Sequence, residues 1–190
     1  MSKMFPRIEP PLQEFIERQH IFFTASATAD SRINLSPKGS DSLRVIHANA
    51  VAYLDQTGSG NEAAAHLRAD GRLTIMFCAF QGPPMILRLY GRGRSLPRGS
   101  DEYETLLATA FGGDEPPGAR QIVVLDVESV QTSCGYSVPL YEFTADRELL
   151  KNWALRKGHD GIRDYWREKN TASIDGLTTG MLDVLGEAAD

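Results

Sequence analysis

Ile33-Asn34-Leu35-Ser36-Pro37-Lys38-Gly39 reads as a short apolar strand that runs into a Pro-Lys-Gly turn. Tyr53-Leu54-Asp55-Gln56-Thr57-Gly58-Ser59-Gly60-Asn61 reads as a second strand, which breaks into a Gly-Ser-Gly loop and then enters a helix. Both strand ends offer backbone N–H groups and hydroxyls, and Lys38 adds a cation between a stiff Pro37 and a permissive Gly39. Side by side, the two ends would cradle an anion at a helix N-terminus, and a phosphate of roughly −1.5 to −2 charges is the simplest such anion. The plain alternative is a flexible turn before an Asn61-capped helix, with Lys38 an ordinary solvated lysine.

Outward from these two stretches the chain is mostly short strands. Residues 21–28, 43–46, 50–54, 72–80, 85–96 and 121–132 are rich in β-branched and aromatic residues or alternate in polarity, and 32–36 joins them. Gln81-Gly82-Pro83-Pro84 turns one strand back on the next. Helices are few. Leu12, Phe15, Ile16 and His20 keep a helical period after Pro10-Pro11; Asn61 starts a helix through Ala69; Ser100 caps another that ends near Gly112-Gly113. Residues 146–157 and 158–169 read as two short helices, and the tail from Asn170 has no clear period. Six or seven closely spaced strands with peripheral helices predict a mainly β fold, an antiparallel barrel rather than a doubly wound sheet.

Composition narrows the function classes. A chain of 190 residues, 42% hydrophobic and 24% charged, is an ordinary globular domain. It needs no metal or disulfide to hold its core. A net charge of −5 argues against a dedicated nucleic-acid binder, which would show a basic face. Cys78 and Cys134 form no C-x-x-C pair, the N-terminus reads as lacking a secretory h-region, and no apolar run suits a membrane helix. The expectation is a cytoplasmic protein.

Gly58-Ser59-Gly60-Asn61-Glu62-Ala63 matches G-x-G-x-x-A, the dinucleotide-binding fingerprint. The helix behind it is short, however. The following strand ends without an acidic residue for a ribose, and no alternating βαβ series follows. His20, His47, His66 and His159 show no ligand spacing, so no protein-bound metal is expected. Arg88, Arg92 and Arg94 fall on one face of a strand with Ile86 and Tyr90. That face is either solvated exterior or one that sends Arg88 into a cofactor site and its neighbours toward a second subunit. Cys78 lies in an apolar strand and reads as core, whereas Cys134 sits among small polar residues near a strand end.

The run from Phe22 to Arg94, with the two quoted stretches and Ile86-Leu87-Arg88-Leu89-Tyr90-Gly91, resembles the pyridoxamine 5′-phosphate oxidase-related flavoproteins. Ser133-Cys134-Gly135-Tyr136-Ser137-Val138-Pro139 and Lys169-Asn170-Thr171-Ala172-Ser173-Ile174-Asp175-Gly176-Leu177 look like one branch of that superfamily. The resemblance implies an FMN-binding split β-barrel over residues 1–145, with a helical extension over 146–190 packed on the same domain. It implies FMN held by Asn34, Leu35, Ser36, Pro37, Lys38, Tyr53, Leu54, Ser59, Gly60 and Asn61, with Arg88 facing it. It also implies a homodimer with flavin at the interface.

The chain has Gly60-Asn61 where the true oxidases carry Arg-Lys, and Trp166-Arg167-Glu168-Lys169-Asn170 does not fit their C-terminal signature. Phosphate binding would then lean on backbone N–H groups, Ser59, Lys38 and Arg88. The expected function is an FMN-dependent oxidoreductase whose flavin carries the chemistry, with a silent storage or redox-sensing module, acting through Cys134, as the alternative. No side chain stands out as a catalytic acid or base. Relatives of the fold also hold haem or a deazaflavin, in which case His47 or His66 would be the axial ligand to inspect.

Overall fold

The structure, a computed structural model, describes residues 2–187. Met1 and the last three residues of the expected C-terminal extension, 188–190, lie outside the described residues. The described residues form eight strands and five helices, in the order β1 (Lys3–Phe5), α1 (Pro10–Glu17), β2 (Phe22–Ser26), β3 (Asn34–Lys38), β4 (Leu43–His47), β5 (Ala50–Gln56), α2 (Glu62–Ala69), β6 (Arg72–Cys78), β7 (Ile86–Pro97), α3 (Asp101–Ala110), β8 (Ala119–Ser133), α4 (Leu149–Lys169) and α5 (Met181–Leu185). No helix among the described residues is long and apolar enough to cross a membrane.

All pairings are antiparallel, in the order β3-β2-β6-β7-β8-β5-β4. The organising element is β8. One edge of it pairs with β7 from Gln121 to Ser133; the other pairs with β5 over its first half and with β1 at residues 130–132. β1, with three residues, is too short to show a period in the sequence. β3 and β4, the two ends of the sheet, are neighbours in the chain but do not pair with each other. Between them the turn through Ser40 and Asp41, with φ of 58° and 49°, swings the chain away. The barrel is therefore split at the Lys38 end of the first diagnostic stretch.

The barrel interior holds Val51, Tyr53, Leu73, Ile75, Phe77, Leu87, Leu89, Val123, Leu125 and Val130, plugged by Leu12, Phe15 and Ile16 of α1. Buried side chains of this size contribute about 1.5–3 kcal/mol each. A second core forms outside the sheet, where Ala52, Leu54, Leu96, Ile122 and Val124 meet Tyr103 and Leu107 of α3. β5 is thus covered on both faces, which is why Ala50–Asp55 read as a continuous run rather than an alternating one. A third cluster joins Ala154, Ile162 and Trp166 of α4 to Met181 and Leu185 of α5. The two helices expected at 146–169 are present as the halves of α4, which breaks at Gly158 (φ 65°, ψ 176°).

Where β7 meets β8, the register shifts between Tyr90 and Gly91, so that Glu128 is an extra residue on β8. The bulge drives the Asp126 carbonyl against Gly91, and a Cβ there would sit 1.9 Å from that oxygen. The neighbour is backbone and cannot turn aside. Gly91→Ala is therefore expected to cost about 3 kcal/mol or more, read as a lowered midpoint in urea unfolding. A change within experimental error would mean that the β8 bulge is soft.

Candidate functional site

β3 and the Gly58–Asn61 loop do lie side by side. They form two walls of a cavity of about 770 Å³, within the roughly 300–1,000 Å³ usual for small-ligand sites. Asn34, Leu35, Ser36, Lys38, Ser59, Gly60 and Asn61 all line it, together with Arg32, Ile33, Glu62, His66, Arg120 and residues 172–174. The other expected residues lie elsewhere. Pro37 faces a separate, mostly apolar cavity of about 1,220 Å³, beside His20, Phe80, Tyr141 and Phe143. Tyr53 and Leu54 are buried in the inner and outer cores, so the side chains of neither reach the 770 Å³ cavity. Arg88 is on β7 opposite Gln131, with its guanidinium near the Ser133 hydroxyl, and is not in the cavity wall. Arg92 donates to the Asp70 carbonyl and Arg94 lies near Glu102 and Asp126, so both serve the barrel exterior.

Lys38 is not a solvated lysine. Its ammonium donates to Asp55 Oδ1 at 2.7 Å and lies 5.8 Å from the centre of the Tyr53 ring. Asp55 is 3% exposed, and its second oxygen accepts from Arg120 at 2.6 Å and from Gln121 Nε2 at 2.8 Å. Burial alone would raise the Asp55 carboxyl, but Arg120 and Lys38 outweigh it and hold the group well below the usual carboxylate range. Two cations on one carboxylate leave a single positive charge at the cavity floor.

How consecutive residues Arg120 and Gln121 both reach Asp55 is settled by a bulge. Asp55 pairs with Gln121 while Gln56 pairs with Ala119, which leaves Arg120 as the extra residue. In a regular strand their side chains would point to opposite faces; the bulge turns Arg120 back to the same side. Arg120 also donates to the Gly60 carbonyl at 3.0 Å and to Asn170 Oδ1 at 2.8 Å. It therefore ties the sheet to both the Gly-Ser-Gly loop and the C-terminal segment. Nothing in the sequence around Arg120 marks it, because it follows a Pro/Gly loop and precedes an apolar strand.

Asn61 occupies the N-cap position of α2 but does not cap it. Its Oδ1 accepts from Gln121 Nε2 at 2.9 Å, and its Nδ2 has no partner among the described residues although the residue is 2% exposed. The helix N-terminus is thus open to the cavity. His66, 1% exposed on the buried side of α2, is the second such residue: its Nδ1 lies 3.1 Å from Ser26 Oγ, and its Nε2 is without a partner among the described residues. Sequence reading weighed His66 only as a haem ligand, since a histidine within Ala63–Leu67 looks like helix core. His47, the other histidine so weighed, is exposed, and its Nδ1 accepts from the Asn49 N–H.

The tail that showed no period closes the fourth wall. Asn170 is fully buried and bridges Arg120 and the Gly58 carbonyl, while Thr179 donates back to the Asn170 carbonyl. Asp175 accepts from the backbone N–H and guanidinium of Arg32, which hold its carboxyl below the usual range; Glu62 accepts from the Ile174 N–H. Ile33, Leu35 and Ile174 remain exposed at the rim. The cavity is polar at the α2 end and apolar at its mouth. Among the described residues no cluster of His, Cys, Asp or Glu could hold a metal ion. Cys134 lies just beyond β8, exposed and outside the cavity, with its thiol lowered by backbone N–H groups led by that of Tyr136.

Comparison with known proteins agrees with this architecture. The Aspergillus flavus protein named "Pyridoxamine 5′-phosphate oxidase family protein ustO" is 34% identical over 195 aligned residues, spanning 93% of this chain and 77% of that protein. Among solved structures, a variant of HupZ from Group A Streptococcus superposes with a TM-score of 0.52 at 19% identity, covering 66% of this chain and 99% of that one. A putative pyridoxamine 5′-phosphate oxidase from Lactobacillus delbrueckii gives 0.51 at 18% identity, covering 66% and 94%. At such identities these two share the fold. Residues 8–134, from α1's approach to the end of β8, match the family described as pyridoxamine 5′-phosphate oxidase, and the chain belongs to that family.

Proposed function

We propose that this chain is an FMN-binding flavoprotein, an oxidoreductase of the pyridoxamine 5′-phosphate oxidase family whose substrate is not pyridoxamine phosphate itself. The observation that carries the reading is a set of three buried polar atoms without partners among the described residues, Asn61 Nδ2, His66 Nε2 and Arg120 Nε. All three belong to residues lining the cavity where the strand end of Lys38 meets the Gly-Ser-Gly loop. Buried polar groups are nearly always satisfied, so three that are not, around one cavity, point to a ligand that satisfies them. The residues fit FMN. The uncapped α2 N-terminus, Ser59 and the positively charged floor suit its phosphate, and the apolar rim of Ile33, Leu35 and Ile174 suits its ring. When bound, the flavin supplies the hydride or electron chemistry. The chain's own part is to bind it, orient it and exclude water, with Lys38 and Arg120 locked on Asp55 so that the floor does not collapse.

Gly60-Asn61 replaces the Arg-Lys of the true oxidases, and Arg120 supplies the guanidinium from a different element. An absorbance spectrum of the purified protein, before and after adding FMN, tests the assignment. Flavin bands, or quenching of added FMN fluorescence, are expected; a colourless protein that leaves FMN fluorescence unchanged overturns it.

Tyr136, Leu140, Tyr141 and Leu149 leave large apolar side chains exposed along the segment beside the 1,220 Å³ cavity. An apolar row of this kind calls for a cover. A second copy of the chain is the proposed one, working in the cytoplasm, where Cys78 and Cys134 would stay unpaired thiols. The expected mass in solution is that of a dimer, and Tyr141→Glu with Leu149→Glu should shift it to the monomer.

A further inference from the structure

We infer that His66 is the residue through which the site reads a phosphomonoester: its Nε2–H donates to the phosphate and makes the site prefer FMN to riboflavin. This rests on the flavin reading above and extends it to a residue that no motif marks. The Nε2–H tautomer is the one that leaves no hydrogen of this hydrogen-bond chain unplaced. Ser26 and Asn34 are cross-strand partners in β2 and β3, and Asn34 Nδ2 donates to Ser26 Oγ at 3.3 Å. The Ser26 hydroxyl keeps its own hydrogen to give, and His66 Nδ1 at 3.1 Å receives it. The ring proton is then on Nε2, the atom with no protein acceptor.

The ligand group must therefore accept. His66 does not act alone, since Asn61 Nδ2 and Arg120 Nε are further unsatisfied donors and Glu62 and Ala63, whose N–H groups open α2, line the same cavity. A hydroxyl would need an acceptor beside these donors, whereas a phosphate dianion accepts at every terminal oxygen and carries no hydrogen. Glu62, the carboxylate in this wall, already accepts from the Ile174 N–H, which lies 3.1 Å from both its oxygens.

The test compares FMN with riboflavin, which lacks only the phosphate, in quenching titrations of the wild type, His66→Phe and His66→Gln. His66→Phe should weaken FMN by about 10- to 100-fold, the worth of a hydrogen bond to a charged acceptor, and leave riboflavin within about threefold. His66→Gln, which keeps a donor near Nε2, should recover part of the loss. Equal weakening of both flavins, or none, overturns the proposal, as does a haem band that depends on His66. If His66→Phe does not fold, Ser26→Ala carries the same comparison. It frees Nδ1 without touching the ligand and should weaken FMN selectively, though less; equal effects on both flavins again overturn the proposal. Inorganic phosphate separates the two readings. A wild type that binds no flavin, yet melts at a higher temperature in phosphate only while His66 is present, keeps the phosphate site and sinks the flavin assignment. A wild type indifferent to phosphate and to both flavins sinks both.

Discussion

Asp55→Ala is expected to destabilise the protein by about 3–5 kcal/mol, the usual result of stripping one partner from a buried ion network. The carboxylate holds Lys38 on one oxygen and Arg120 and Gln121 on the other, and all of these save Lys38 are almost fully buried. Its removal leaves two cations facing each other beneath the cavity floor. Lys38→Met should be much milder, about 1 kcal/mol, because the Asp55–Arg120 pair stays neutral and matched. Urea unfolding of the two variants checks the order, and a Lys38 variant as damaged as the Asp55 variant would contradict the network. The pH dependence has a definite sign. The folded carboxyl titrates well below its unfolded value of about 3.9. Its contribution is therefore complete above that value and drains away only as the pH falls below it. The wild type should lose its advantage over Asp55→Ala in that acidic window and at no higher pH.

Trp166→Ala is expected to cost a further-reaching 3–5 kcal/mol, about the toll of emptying a buried tryptophan site. The ring is 2% exposed between α4 and α5, and its Nε1 donates to Thr57 Oγ1 at 2.8 Å. Thr57 in turn donates to the Gly118 carbonyl. This short chain fastens the C-terminal helices to the strand end that opens the Gly-Ser-Gly loop. Loss of the ring should loosen Asn170, the residue that bridges Arg120 and Gly58, and so open the cavity wall. The measurable consequences are faster proteolysis within residues 170–180 and weaker FMN quenching, together with the lower unfolding midpoint. Trp166→Phe keeps the bulk and loses one hydrogen bond, for about 1 kcal/mol. If Trp166→Ala unfolds earlier but keeps wild-type proteolysis and FMN binding, the C-terminal segment is not a wall of the site.

Much of the barrel was legible because strands announce themselves locally. The alternation in β2 and the β6–β7 turn at Gln81–Pro84 need no distant partner to be read. The break at Gly158, which divides α4, was equally local. Strand β1, with three residues, lacked the length to show any pattern, and its pairing with β8 exists only in the folded sheet.

The site divides along the same line. That a strand ends in Lys38 and that a Gly-Ser-Gly loop precedes α2 is legible in the sequence, since backbone freedom, hydroxyls and a cation are properties of short stretches. What those groups do depends on the partners that folding brings to them. Folding spends Lys38 on Asp55, turns Asn61 away from capping its own helix, and leaves His66 with a free nitrogen. It also draws in Arg120 and Asn170, residues with no motif of their own. These roles depend on one extra residue in the β5–β8 register and on side chains 17 to 66 positions apart in sequence. A local pattern carries no record of such distances.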